Sequence, residues 1–496
     1  MLATVFEHFL GGSPRWYKQA ILALLVLNVP IALLAGPAVA TWVILFEFIL
    51  TLAMALKCYP LQPGGLLALQ AVLLGLVSPE AVYTEVVHGF PVILLLIFMV
   101  AGIHFLRDGL LFVFSGLLVK VRSNTALALV FCGLGALLSA FLDALTVLAV
   151  IITVAVGCHQ LYHRVASAGR LDLDHDPRTG DDVVEFHHED LEQFRAFLRS
   201  LLMHAAVGTT LGGVCTMVGE PQNLLIAKAA GWNFAEFFHQ MSTVTMPVLA
   251  VGLLTCVAVE RFGWFGYGVA MPEKARAVLE DAAREQRRQR TPAQRWHLVV
   301  QASVALLLVL ALAFHVAEVG LVGLLVIVLA TALCGVTDEH RLGEAFTGAL
   351  PFTALLVVFF VVVGAIHQQD IFGPVVHWVL TLEGKAQAGA FYLANGLLSS
   401  ISDNVFVASI YIGELQRLFA AGEISREQFD LLAVAVNTGT NIPSIATPNG
   451  QAAFLFLLTS SVAPLVRLGY GRMCWMALPY LLTMAPMGFV ALVYWH

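Results

Sequence analysis

The chain has 496 residues, of which 59% are hydrophobic and only 12% charged, and its net charge is −7. That balance excludes an ordinary soluble globule, and no stretch carries the basic patterning of a nucleic-acid binder. The composition is that of a polytopic membrane protein whose partner is the lipid bilayer, and because strand-like alternation is absent, helices rather than a barrel must satisfy the backbone.

Apolar runs approaching the roughly 20 residues that a helix needs to cross a bilayer predict crossings at 20–36, 39–56, 64–78 and 91–106. A basic connector then leads to an apolar pair around Asp143, and a polar loop covers 161–197. Further runs lie at 198–230, 243–260, 298–316, 318–336 and 351–366, followed by a second apolar pair around Asp403 and by 430–465 and 473–494. Segments 198–230 and 430–465 are too long for single spans and are interrupted by Gly, Thr, Asn and Pro. The seven cysteines (58, 132, 158, 215, 256, 334 and 474) show no CxxC or ligand spacing and read as small buried hydrophobes. Arg15 and Lys18 precede a first apolar run that continues into others, so no cleavable signal is expected.

Basic residues orient a membrane chain. The connector from Arg261 to His297 holds eight Arg and Lys residues and is expected in the cytoplasm, as is the N-terminus with Arg15 and Lys18. Tracing onward puts Lys57, Arg107, Lys120, Arg122, Arg467 and Arg472 inside and the acidic Glu80–Glu85 loop outside.

Two stretches are copies of one another: Gly135-Ala-Leu-Leu-Ser-Ala-Phe-Leu-Asp143-Ala-Leu-Thr146 and Asn395-Gly-Leu-Leu-Ser-Ser-Ile-Ser-Asp403-Asn-Val-Phe406. Asp143 is the only formal charge between Thr125 and His159, and Asp403 the only one between Ala386 and Gly413. An isolated carboxylate at membrane depth costs about 2.5–3.5 kcal/mol on insertion scales and marks an ion or proton path. The offset of 260 residues that aligns the aspartates also aligns Pro91, at the outer end of its run, with Pro351, at the inner end. The halves therefore read as inverted repeats, an architecture that places ion sites where discontinuous helices meet. Gly208-Thr209-Thr210 with Glu220-Pro221-Gln222-Asn223 likewise pairs with Gly439-Thr440-Asn441 and Thr447-Pro448-Asn449, the offset being 231 at the glycines. The trace closes if each aspartate pair is a re-entrant hairpin, giving about eleven full crossings, two hairpins, two broken helices and a C-terminus on the outer face. The expected organisation is N-terminal scaffold 1–90, first repeat 91–260, cytoplasmic linker 261–297, scaffold helices 298–350 and second repeat 351–496.

Sodium and lithium are hard cations that favour carboxylate, hydroxyl, amide and unwound carbonyl oxygens. Asp143 with Thr146, Thr209 and Thr210 would form one half-site, and Asp403 with Asn404, Asn437, Thr440, Asn441 and Thr447 the other; Asn223 and Asn449 in the matched stretches join them. The competing reading makes each aspartate a structural hydrogen-bonding group at a broken helix end. Glu220 is either a third titrating group or a helix cap. Glu47 reads as intramembrane, facing a dimer or snorkelling. The segment from His163 to Glu192 carries His163, His175, His187 and His188 among nine acidic residues; a solvated loop is preferred there to a metal or pH-sensing site. Residues 273–297 read as a charged cytoplasmic helix linking the halves.

At the aspartate and broken-helix motifs, and in Phe9-Leu-Gly-Gly-Ser-Pro-Arg-Trp-Tyr-Lys18 and Leu52-Ala-Met-Ala-Leu-Lys-Cys-Tyr-Pro-Leu-Gln-Pro-Gly-Gly65, the chain resembles the NhaB-type bacterial sodium/proton antiporters. These belong to the ion transporter superfamily that also holds arsenite permeases and divalent-anion/sodium symporters. The resemblance implies sodium and lithium extrusion driven by inward proton movement in the bacterial inner membrane. It implies a homodimer of scaffold and moving transport regions, no cofactor beyond the transported ions, and no soluble protein partner. Symporters of the superfamily usually carry Ser-Asn-Thr at the hairpin tips, where this chain has Leu142-Asp143-Ala144 and Ser402-Asp403-Asn404. That departure favours proton exchange, because a carboxylate releases its cation on protonation and an amide does not. Sodium and protons competing for the same carboxylates would couple the two fluxes, with the hairpins and broken helices moving against the other helices. The rivals are a sodium-coupled symporter of a small anion on the same fold, an intramembrane aspartyl protease, whose usual GxGD is missing at both aspartates, and a passive channel.

Overall fold

The computed structural model describes residues 2–166, 185–382 and 384–496. Among them every regular element is helical. His175 lies outside the described residues, as do the side chains of His187 and His188. Six helices are long and apolar enough to cross a membrane, or seven if the bent pair Pro79–His88 and Phe90–His104, inclined at 58°, is one span. Four shorter apolar helices, Pro37–Ala53, Leu61–Leu73, Asn124–Ser139 and Val319–Cys334, complete most of the expected runs.

Ten helices surround the two copied stretches. In the first set, α1 (Asn124–Ser139) and α2 (Ala144–Ala166) flank Asp143, while α3 (Glu185–Gly213) and α4 (Pro221–Ala230) are the two parts of the first broken segment. α5 (Phe234–Phe262) follows. In the second set, α6 (Lys385–Ser399) and α7 (Asn404–Ala420) flank Asp403, and α8 (Arg426–Asn441) and α9 (Ala452–Thr459) bracket a break that holds a 3-10 turn at Pro443–Ala446. α10 (Tyr470–Val490) closes the bundle.

Several expectations need correction. The run 64–78 is a helix only over Leu61–Leu73, and its 13 residues rise about 20 Å, short of a bilayer core of about 30 Å. It stops because Gly75 turns left-handed at φ 70° and the Leu76 amide bonds back to the Ala71 carbonyl at 2.9 Å. The loop at 161–197 is helical at both ends: α3 begins at Glu185 because Leu191, Phe194 and Phe197 form a buried stripe, against which Tyr162 of α2 packs at 5.3 Å. The charged helix at 273–297 is two helices, Glu273–Gln289 and one starting at Pro292, separated by Thr291, which builds a capping box with Gln294. Glu47 neither snorkels nor faces outward. It is 6% exposed and accepts from Asn28 Nδ2 at 2.6 Å.

Contacts within each set recur at matched positions in the other. The Ser139 hydroxyl donates to the Thr209 carbonyl at 2.8 Å, and the Ser399 hydroxyl donates to the Thr440 carbonyl at 2.9 Å. Thr216 Oγ1 donates to the Ala140 carbonyl, and Thr447 Oγ1 to the Ser400 carbonyl. Gly208 seats α3 on the Cys132 backbone as Gly439 seats α8 on that of Tyr392. Beyond the glycines the offset of 231 continues, so Thr216 corresponds to Thr447 and Glu220 to Gln451. The alignment of Glu220-Pro221-Gln222-Asn223 with Thr447-Pro448-Asn449 is thereby corrected: α4 opens at Pro221 and α9 at the equivalent Ala452.

Polar contacts gather at two ends of the bundle. One end joins Lys274 to Asp190 (2.7 Å), Arg467 to Glu192 (2.7 Å) and Arg276 to the Val121 and Arg122 carbonyls (3.5 Å). The other joins Glu85 to His367 (2.8 Å), Arg417 to Asp370 (2.6 Å), Lys228 to Glu318 (2.6 Å) and Thr243 to His496 (2.6 Å). Each contact pairs groups that the sequence trace puts on the same side.

A Cβ at Gly212 would overlap the Ala136 backbone, whereas one at Gly133 on α1 meets open space. Gly212→Ala is therefore expected to force α3 off α1 at a cost of about 1–3 kcal/mol. Gly133→Ala is expected to be neutral or slightly stabilising. Thermal midpoints of the two purified variants in detergent check the difference.

Candidate ion site

A lone carboxylate in an apolar run needs a donor, and both aspartates find one at a helix N-terminus. Asp143 precedes α2 and accepts from the Thr146 amide at 3.2 Å and its hydroxyl at 3.4 Å. Asp403 is the N-cap of α7 and accepts from the amides of Val405 (2.8 Å) and Phe406 (3.3 Å). The structural role weighed for them is thus present, and helix-end dipoles favour a negative charge there. The caps still leave both carboxylates on the wall of one cavity of about 730 Å³, although Asp143 is only 2% exposed. Thr146 and Asn449 share that wall.

The other expected residues lie behind it. Asn223, Asn437 and Asn441 form a buried seam between the two broken segments. Gln222 Nε2 donates to Asn441 Oδ1 at 2.8 Å, Asn441 Nδ2 to Asn223 Oδ1 at 3.2 Å, and Asn437 Nδ2 to the Val214 carbonyl at 3.3 Å. Asn223 Nδ2 also holds the carbonyls of Gly213 (2.7 Å) and Thr216 (2.6 Å), which the break in α3 leaves without helical partners. Thr209, Thr210 and Thr440 turn their hydroxyls onto carbonyls of their own helices, Ala206 for the first two and Val436 for the third. Thr447 holds Ser400, and Asn449 Nδ2 donates to the Ala53 carbonyl at 2.7 Å. The Asn404 amide nitrogen, turned toward them, meets the Thr440 carbonyl at 3.2 Å, the Gly450 carbonyl and the Ser399 hydroxyl.

Glu220 is 4% exposed, makes no side-chain cap bond to α4, and its buried Oε1 has no hydrogen-bond partner among the described residues. It interacts electrostatically with both Asp143 and Asp403. The cap reading of Glu220 is not what the geometry shows. Its counterpart Gln451 instead donates from Nε2 to the Asn441 carbonyl at 2.8 Å and to Ser444 Oγ at 2.9 Å.

Ser139, Ser399, Thr216, Gln222 and Gln451 were not singled out from the sequence. Ser139 and Ser399 occupy the same place in the two copies, and the offset of 231 links Thr216 to Thr447, so the signal was available. Tyr59, His104, Arg107 and Glu344 also line the cavity from outside the copied stretches; nothing in the repeat pattern points to them.

An apolar helical bundle with two interrupted segments, and two carboxylates at helix ends on one internal cavity, defines an integral membrane protein fitted to handle small ions. Over residues 1–495 the chain matches the family model described as "Bacterial Na+/H+ antiporter B (NhaB)". It is 62% identical over 497 residues to the Na(+)/H(+) antiporter NhaB of Pseudomonas fluorescens strain Pf-5, covering 100% of this chain and 99% of that one. It is 64% identical over 489 residues to the proteins of the same name from Pseudomonas paraeruginosa and from Pseudomonas aeruginosa strain PAO1, covering 99% of this chain and 98% of each. The chain belongs to the NhaB family of bacterial sodium/proton antiporters. It is a transporter rather than an enzyme and takes no cofactor, its ions being its cargo.

Asn441→Leu strands Gln222 and Asn223 in the seam. It is expected to destabilise the protein by about 1–3 kcal/mol, read as a lowered thermal midpoint in detergent together with a raised sodium concentration for half-maximal antiport.

Proposed function

We propose that this antiporter extrudes sodium, and lithium with it, in exchange for inward protons by alternating access, with Asp143 and Asp403 binding cation and proton in turn. The observation that carries the proposal is that the two copied aspartates, 260 residues apart, line the same cavity. A bound proton removes the charge that holds the cation, so occupancy by one excludes the other. Thr146 and Asn449 on the wall supply neutral oxygen donors for a hard cation. Asn223, Asn437, Asn441, Thr209, Thr210, Thr440, Thr447 and Asn404 act from behind it by shaping the broken segments, and their carbonyls rather than their side chains are the further ligands on offer.

The two sets of helices are inverted repeats, and the pairs α1–α2 and α6–α7 are re-entrant hairpins. Matched hydrogen bonds at Ser139 and Ser399, and at Thr216 and Thr447, support the repeat. Re-entry is supported by the hairpin ends: Arg122 before α1 and Asp190 beyond α2 belong to one polar end of the bundle, whereas Arg417 of α7 belongs to the other. With the basic end in the cytoplasm of a bacterial inner membrane, the N-terminus is inside, the C-terminus outside and the crossings number about eleven. The cavity is lined away from the aspartates by His104, Arg107, Glu344 and Ser460, groups of the basic end, so this conformation faces inward. A homodimer holding the scaffold helices still, while hairpins and broken helices move, fits this division.

Inverted membrane vesicles with an acidified lumen and a pH-sensitive dye test the proposal. Sodium or lithium is expected to alkalinise the lumen and potassium to do so weakly, while Asp143→Asn and Asp403→Asn each slow the response at least about tenfold, a loss of about 1.4 kcal/mol or more. Loss in Asp143→Asn alone would make Asp403 a structural cap.

A further inference from the structure

Apart from the transport cavity, the bundle buries a second set of ionisable side chains. His204 on α3 is fully buried, with Nε2 2.9 Å from Glu260 Oε1 on α5 and Nδ1 2.6 Å from Tyr480 Oη on α10. The Ser200 hydroxyl donates to the same Glu260 oxygen. The Tyr267 ring stacks on the imidazole at 4.5 Å, its own hydroxyl held by the Met476 carbonyl at 2.9 Å. The groups facing His204 are therefore Glu260 and Cys256 from α5, Tyr267 from the turn after it and Tyr480 from α10; Cys132 of α1 stands behind Cys256. None of these residues lines the cavity of Asp143 and Asp403.

The cluster is complete in one protonation state. With a neutral imidazole, Nε2–H donates to the Glu260 carboxylate and Nδ1 accepts from the Tyr480 hydroxyl. A proton added at Nδ1 gives an imidazolium with two donors, and Tyr480 must then turn its hydrogen to another acceptor. The thiol of Cys256 lies against both His204 and Tyr480 and is the group within reach. One proton thus rewires the contact between α3 and α10. His204 is one helical turn before Gly208, where α3 sits on α1 ahead of its break, so the rewired contact acts on the segment that leads to Glu220 and the ion site.

Access comes from the basic end. Glu260 is two residues from the end of α5, and the following turn folds back over it through Gly263 and Gly268, both left-handed at φ 67° and 80°. The Gly268 backbone comes close enough to Glu260 to favour its carboxylate. Next to that turn the Ala270 carbonyl accepts from Gln193 at 2.9 Å, among the contacts of the basic end. Ionisable groups buried inside membrane bundles mark function by default.

We propose that His204, Glu260 and Tyr480 form a proton-binding site separate from the transport cavity, through which pH at the basic face sets the activity of the antiporter. The neutral imidazole is the active form, and protonation at His204 restrains α3. Antiport is measured in proteoliposomes from about pH 6.5 to 9, across the range where histidines titrate, with rates normalised to folded protein. His204→Gln keeps a hydrogen-bonding side chain but cannot acquire the charge. It is expected to move the acid limb of the profile at least about 0.5 pH unit lower while the maximal rate stays near that of the wild type. Tyr480→Phe, which removes only the hydroxyl and serves alone if His204→Gln does not fold, is expected to move the same limb. A profile that superimposes on the wild type in Tyr480→Phe, or that stays in place or moves to higher pH in His204→Gln, overturns the proposal.

Discussion

A helix interrupted inside an apolar bundle frees carbonyls and amides that water cannot reach, and the arrangement of this protein follows from satisfying them. Leaving one such group unpaired costs about 1–3 kcal/mol, so two unsupported breaks would consume much of a marginal stability. The chain meets the problem twice with the same solution. A serine from the helix before each aspartate holds a carbonyl of the broken helix, and a threonine in each break returns to a carbonyl beside the aspartate. The turn at each aspartate and the break beside it thereby support one another.

That mutual support explains both the glycines and the carboxylates. Gly208 and Gly439 allow the broken helices to touch the backbone of the helices that lead to Asp143 and Asp403, and Gly219 and Gly450 sit where a side chain would strike the Ser139 and Ser399 carbonyls at 2.7 and 2.8 Å. Close approach brings the N-termini of α2 and α7 toward a common cavity, where the positive ends of the helices favour an anion or a carboxylate. The aspartates are stabilised enough to remain in an apolar bundle, yet they still face the cavity. The two repeats differ at one telling position. Gln451 Nε2 ties its break to Asn441 and Ser444, an anchor that the carboxyl of Glu220 does not make, while Oε1 of each lacks a hydrogen-bond partner among the described residues. A carboxyl thus stands in one copy where the other has an amide, as Thr146 stands where the other has Phe406.

Much of this was legible in the residues. Two isolated aspartates in copied runs, an offset shared with Pro91 and Pro351, and Gly/Thr/Asn/Pro interruptions identified the breaks, which the structure has at 214–220 and 442–451. The Arg and Lys trace also groups the polar connectors into two ends, and each ion pair named at those ends joins groups that the trace puts together. What periodicity could not convey was which polar atoms point where. Thr209, Thr210 and Thr440 looked like ligands by composition, but a threonine in a helix readily turns its hydroxyl to the carbonyl three or four residues back, and these do. Helix lengths also escaped, because Gly75 ends the third run early and the buried stripe of Leu191, Phe194 and Phe197 carries α3 well into what composition marks as a loop. Tyr59, His104 and Glu344 reach the cavity from distant parts of the chain, and no local pattern records that.

In the proposed mechanism sodium and protons compete for Asp143 and Asp403. Proton release on ion binding tests it most directly: sodium is added to purified protein in weakly buffered detergent solution at fixed ionic strength, and the pH change is recorded. The account predicts release from the wild type, continued release from His204→Gln, and none from the combined Asp143→Asn and Asp403→Asn variant. Undiminished release from that folded double variant would contradict the account and place the exchange at other groups.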